Sequence, residues 1–295
     1  MKVAARMERV EPFHVMEVVR AAQEQEQVWR GQGRSMIHLG VGEPDFGAPP
    51  EVAAAGVRAL REERTAYTLA QGLPALRDAI AGHYARRHGV DVDPRRIFIT
   101  AGASGALTLA CLLLVDEGAE VLMPDPTYPC NKNFVAAAGG RARVLPTTAA
   151  TRFQPTAGQI DAAWGPLTRG VLLATPSNPT GTSIDADELA RIAAVVRRRG
   201  GFLLVDEIYL ELTYGDRRGS SALALGDDVI SINSFSKFFQ MTGWRLGWMV
   251  VPPELVEPLS RLAGNLFICP SSPAQHAALA CFEPPTLREA ERRRA

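Results

Sequence analysis

The chain has 295 residues, 46% of them apolar and 22% charged, enough to bury a sizeable core in one large domain or two unequal ones. Lysine plus arginine balances aspartate plus glutamate at 32 each, so the basic excess that draws proteins to nucleic acid is missing and a small, neutral partner is expected. The longest apolar run, 106–115, is interrupted by Thr108 and falls far short of the ~20 residues that span a bilayer.

The first ten residues mix Lys2, Arg6, Glu8 and Arg9 with single apolar ones, unlike a secretory signal. Cys111, Cys130, Cys269 and Cys281 have no metal-type spacing and read as reduced residues of a cytoplasmic protein without a structural metal. Residues 1–45 read as an N-terminal arm, helical over 15–30, with a short strand at 36–39. Seven short apolar or β-branched runs follow, at 97–100, 120–123, 142–145, 170–174, 202–205, 229–233 and 246–250. Helical patterns at 104–115, 128–138, 185–199 and 254–262 separate most of them. Strand–helix alternation of this kind builds an α/β fold, here a mostly parallel seven-stranded sheet with helices on both faces. The last two strands are joined without a helix, which allows one antiparallel strand. A helix at 273–282 ends at Pro284 and Pro285, and a charged helix with Thr286 as N-cap occupies 286–295.

Open sheets of this class bind ligands at the carboxyl ends of their strands, and five polar or glycine-rich stretches fall at such places. The first is Leu39-Gly40-Val41-Gly42-Glu43-Pro44-Asp45-Phe46, whose backbone suits a carboxylate or a plain turn. Thr100-Ala101-Gly102-Ala103-Ser104-Gly105-Ala106 is a small-residue strand-to-helix turn, which either holds an anion on helix N–H groups or merely turns tightly. Pro176-Ser177-Asn178-Pro179-Thr180-Gly181 restrains an amide between prolines, for a ligand or for a turn. Asp206, after four apolar residues, is a buried carboxylate that needs a cation or caps the next turn. Finally, the chain has three lysines, at 2, 132 and 237, and Lys237 alone stands at a strand end, in Ser234-Phe235-Ser236-Lys237. Its apolar neighbours suit an amine with a lowered pKa, and Arg245 offers a bidentate partner for a phosphate.

In this order the five stretches resemble the class I/II aminotransferases of the fold-type-I pyridoxal-phosphate enzymes, over residues 40–273. The resemblance implies pyridoxal 5'-phosphate as cofactor, with Lys237 as its Schiff-base lysine and proton shuttle, Asp206 on the pyridine nitrogen, and Tyr209 and Asn178 on the ring oxygen. It implies Tyr128 stacked on the ring, and a phosphate cup of Ala103, Ser104, Gly105, Ser234, Ser236 and Arg245. Tyr67 would reach the phosphate of a neighbouring subunit, making a homodimer with shared active sites, and Gly42 and Asn178 would face the substrate. The expected reaction is ping-pong transamination between an L-amino acid and a 2-oxo acid. A C–S lyase, a decarboxylase, a cyclopropane-carboxylate synthase and an aminotransferase-like regulatory domain are the alternatives. The same resemblance divides the chain into an arm with part of a small domain (1–45), a cofactor-binding large domain (46–283) and the start of an interdomain helix (284–295). The family's carboxylate-binding arginine finds no counterpart, so a C-terminally truncated, poorly active or inactive chain with an incomplete small domain is expected. Residues 265–275 carry no basic side chain, which favours neutral amino acids as substrates.

Overall fold

A computed structural model describes residues 1–214 and 219–295. Among them seven strands form one sheet in the order β1-β7-β6-β5-β4-β2-β3: β1 Ile97–Thr100, β2 Glu120–Asp125, β3 Arg141–Pro146, β4 Thr168–Ala174, β5 Phe202–Asp206, β6 Val229–Ser234 and β7 Gly247–Val250. β2 to β6 run parallel, and β7 is antiparallel to both β1 and β6. The expected mostly parallel sheet is therefore present, and its one reversed strand is the one that follows β6 without a helix.

Alternation along the strands builds two apolar layers. Ile97 and Ile99 of β1 face one side and Phe98 the other, and in β5 Leu203 and Val205 oppose Leu204. On one face Leu107 and Leu109 of α4 (Gly102–Leu114), Val135 of α5 (Cys130–Ala137) and Leu259 of α8 (Val256–Phe267) are buried. The opposite face carries two clusters. One holds Val52 of α2 (Pro50–Arg61), Leu76 and Ile80 of α3 (Pro74–His88) and Ala277 of α9 (Ser272–Ala278). The other holds Ile160 of α6 (Ala157–Ala163) and Ile192 of α7 (Ala186–Arg198). The remaining helices are α1 (His14–Arg30), which buries no residue, and α10 (Pro284–Arg294).

Two expected elements differ. Residues 36–39 form no strand, and Ile37 and Leu39 are largely exposed, because a lone strand needs an edge to pair with. The last helix starts at Pro284 rather than 286, since proline suits the first helical position, where its missing N–H is no loss. Glu283 is the N-cap, and Thr286 is fully buried instead. The 273–282 pattern is realised as α9 followed by a 3-10 turn, Leu279–Phe282. α2, α3 and α6 were not anticipated by the periodicity.

Candidate active site

Because β1 and β6 are both antiparallel to β7, they point the same way as the parallel strands. The segments following β1, β2, β4, β5 and β6 therefore leave along one edge of the sheet. Of the residues singled out above, Gly102 to Gly105 follow β1, Tyr128 follows β2, Asn178 follows β4, Asp206 ends β5, and Ser234 ends β6 with Lys237 three residues on.

Asp206 sits in register between Ala174 of β4 and Ile232 of β6. It is 6% exposed and its Oδ1 accepts the Ile208 N–H at 3.1 Å. Burial, opposed by that hydrogen bond and reinforced by the neighbouring Glu207, pushes its carboxyl up to about 7. No cation among the described residues forms an ion pair with it. A buried carboxylate in this condition is matched by a ligand that brings a positive charge.

Beside it, the Asn178 amide donates to the Tyr209 hydroxyl at 3.4 Å, and the Lys237 Nζ lies 5.8 Å from the centre of the Tyr209 ring. Burial pulls the Lys237 amine below its ordinary range, Arg245 adds to this and Glu43 opposes it. Lys237 also donates to the carbonyl of Gly42, and Thr242 donates to Glu43 at 2.6 Å, so the 40–46 segment is tied to the loop that carries the lysine. Tyr128 is half-buried, with its ring edge against Phe13 at 6.1 Å.

An anion cup lies next to these groups. No side chain caps the start of α4, so its first N–H groups are free to meet an anion. Gly102 has φ +70°, and a Cβ there would stand 2.6 Å from a guanidinium nitrogen of Arg245. A Cβ on Gly247 would come within 2.7–2.9 Å of backbone atoms of Gly102, Asn233 and Ala103. Only glycine lets β7 pass this close to the helix start, and that passage sets Arg245 beside it. Arg245 is itself left-handed, with φ 54°, and donates to the Thr242 carbonyl at 2.9 Å. Ser234 donates to Ser236 at 3.0 Å, and both are buried. Together these residues suit a ligand that has a cationic end at Asp206 and a multiply charged anionic end at the α4 N-terminus, within reach of one primary amine.

Tyr67 is not drawn into this group: it is 80% exposed, in the connection between α2 and α3. Two residues without an expected role belong to the site. Glu43 holds the arm to Thr242. Glu207, fully buried, accepts from Ser221, Ser231 and the Ala222 N–H at 2.6–2.9 Å, which locks the end of β5 to β6. Its position directly after Asp206 was visible, but its partners lie 14 to 24 residues away and no local pattern names them.

Residues 34–295 match the family model described as aminotransferase class I and II. Among curated proteins, the valine–pyruvate aminotransferase of Mycobacterium tuberculosis is 44% identical over 283 residues, covering 96% of this chain and 72% of the relative. The aspartate aminotransferase of Geobacillus stearothermophilus is 34% identical, over 97% of this chain and 72% of its own length. A crystal structure of an aminotransferase from Mycobacterium tuberculosis superposes with a TM-score of 0.93 at 42% identity, covering 99% of this chain and 74% of that one. The Thermus thermophilus aspartate aminotransferase with maleate gives 0.92 at 28% identity, over 100% and 76% of the two chains.

Proposed function

The chain belongs to the class I and II aminotransferase family, and from that premise we propose that it is a pyridoxal-phosphate-dependent transaminase acting at the sheet edge just described. The observation that carries this reading is a buried, cation-free Asp206 on the same edge as the one strand-end lysine and the uncapped start of α4. We assign this work to 46–283, which the arm of 1–45 touches through Glu11, Gly42 and Glu43.

When bound, pyridoxal phosphate supplies a conjugated ring that accepts the electron pair left by the departing α-proton of an amino acid. Lys237 is the anchoring amine. Its amine, held below its ordinary range by burial, would take a proton at the substrate α-carbon and return one as general base and acid. Asp206 would hold the ring nitrogen protonated, which its burial without a cationic partner among the described residues favours. Tyr209 and Asn178, hydrogen-bonded to each other, would orient the bound ring, and Tyr128 would pack against it. The N–H groups of Ala103, Ser104 and Gly105, with Ser234, Ser236 and Arg245, would hold the phosphate. Gly42 offers backbone to the substrate carboxylate without a side chain in the way. Tyr67, exposed here, suits the phosphate of a second subunit in a homodimer.

Leu266, Phe267 and Ile268 are each about half-exposed, and residues 265–275 hold no basic group for a distal carboxylate. With the valine–pyruvate enzyme at 44% identity, this supports a neutral amino acid as donor and a small 2-oxo acid as acceptor. Borohydride reduction of the cofactor-loaded protein followed by peptide mapping tests the assignment. Label on Lys237 and amino transfer from valine or alanine to a 2-oxo acid are expected; label on Lys132 overturns it.

A further inference from the structure

His83 and His88 of α3 converge with Glu211, which lies in the 3-10 turn Leu210–Leu212, two residues past Tyr209. The Nε2 atoms of the two rings stand 3.1 and 2.8 Å from one and the same carboxylate oxygen, Oε1 of Glu211. The three potential ligand atoms lie within 4.8 Å of one another. All three side chains are at most 7% exposed. The second carboxylate oxygen, Oε2, accepts from Arg87 at 2.7 Å, and Arg87 is also paired with Glu291 of α10.

We propose that His83, His88 and Glu211 form a binding site for a divalent transition-metal ion of the zinc class. Zinc takes imidazole nitrogen at ~2.0–2.1 Å and carboxylate oxygen at ~2.0–2.2 Å, and two histidines with one carboxylate and an open fourth position are a common donor set for it. Tetrahedral placement at those bond lengths puts neighbouring ligand atoms about 3.3 Å apart. The two nitrogen–oxygen separations here are shorter by only a few tenths of an ångström, a difference on the scale of a ring rotation. Arg87 leaves Oε1 as the ligating oxygen and orients the carboxylate from outside the triangle, the role outer hydrogen-bond partners play at metal centres. A cleft of about 410 Å³ reaches His83 between α3 and α10 and is lined also by Arg86 and Arg288, which gives room for water or a small anion as fourth ligand. Imidazole binds such an ion in its neutral form. The ion ties α3 to the turn that follows Tyr209, a structural role separate from transamination.

The test uses the untagged, cofactor-loaded chain, stripped with a chelator and titrated with cobalt(II) and then zinc(II). One cobalt per chain with strong visible bands of a tetrahedral nitrogen–oxygen site, displaced by zinc, is expected. His88→Gln and His83→Asn should each abolish these bands, while His38→Gln, outside the cluster, should keep them. X-ray absorption of the zinc-loaded wild-type protein should show two imidazoles and no sulfur, and this decides the matter even where a variant fails to fold. Absence of stoichiometric binding overturns the proposal and leaves a purely hydrogen-bonded cluster. A thiolate charge-transfer band from one of the four cysteines overturns it too, as do bands that survive both cluster substitutions.

Discussion

The Lys237 amine donates to the backbone carbonyl of Gly42, joining two residues 195 positions apart. The contact sets the glycine of the arm against the lysine that follows β6. A Cβ on Gly42 would meet nothing within 4 Å, so packing does not require glycine there.

Gly42→Ala is therefore expected to fold normally, with a stability change within ~0.5 kcal/mol, and to retain cofactor. Its KM for the amino acid should rise severalfold, because the new methyl narrows the approach of the carboxylate. Steady-state kinetics beside a cofactor titration separate the two effects, and an unchanged KM removes Gly42 from the substrate site.

In the proposed reading Asp206 holds the ring nitrogen protonated, so Asp206→Asn should still bind cofactor but lose that charge. Exchange of the substrate α-proton into deuterated water should slow by about 10²–10³, the scale on which a single electrostatic contact of this kind acts. Near-normal exchange rules out the assigned role.

The same carboxylate gives the cofactor-free protein a pH signature. Asp206 is raised from 3.8 to about 7, so between those values the folded chain holds a proton that the unfolded chain has released. The contribution of Asp206 to stability is then greatest below about 4 and is lost as pH rises toward about 7. The contribution of this group should appear as a falling urea midpoint over that window, absent in Asp206→Asn and suppressed when cofactor supplies a cation. A wild-type slope equal to that of the variant excludes it.

Gly247→Ala drives a methyl into the backbone of Gly102, Ala103 and Asn233. Overpacking of this type costs about 1–3 kcal/mol, and here it also displaces the start of α4, so both the urea midpoint and cofactor affinity should fall. Gly243→Ala, where a Cβ meets nothing within 4 Å, serves as the control; equal behaviour of the two variants contradicts the close passage of β7.

The seven strands were legible in the sequence because each is a short apolar run whose signal is local, and most of the candidate site was legible because Asp206, Asn178, Lys237 and Gly102 to Gly105 sit at or just beyond strand ends. α3 was not, for a physical reason: it buries Arg77 and His83 among Leu76, Ile80 and Tyr84, so its inner face lacks a clean apolar stripe. The 36–39 segment misled in the opposite sense, since an apolar run becomes a strand only when an edge receives it.

By itself the sequence determined the seven strands, the fold class and most of the residues with chemistry to offer, all of which depend on neighbours a few positions away. Only the tertiary structure decided the strand order that places Asp206 between β4 and β6, the meeting of Gly42 with Lys237, and the gathering of His83 and His88 around Glu211, more than 120 residues distant. Such contacts are set by which crossover lands beside which strand. That choice depends on how whole faces pack, and no local run of residues encodes it.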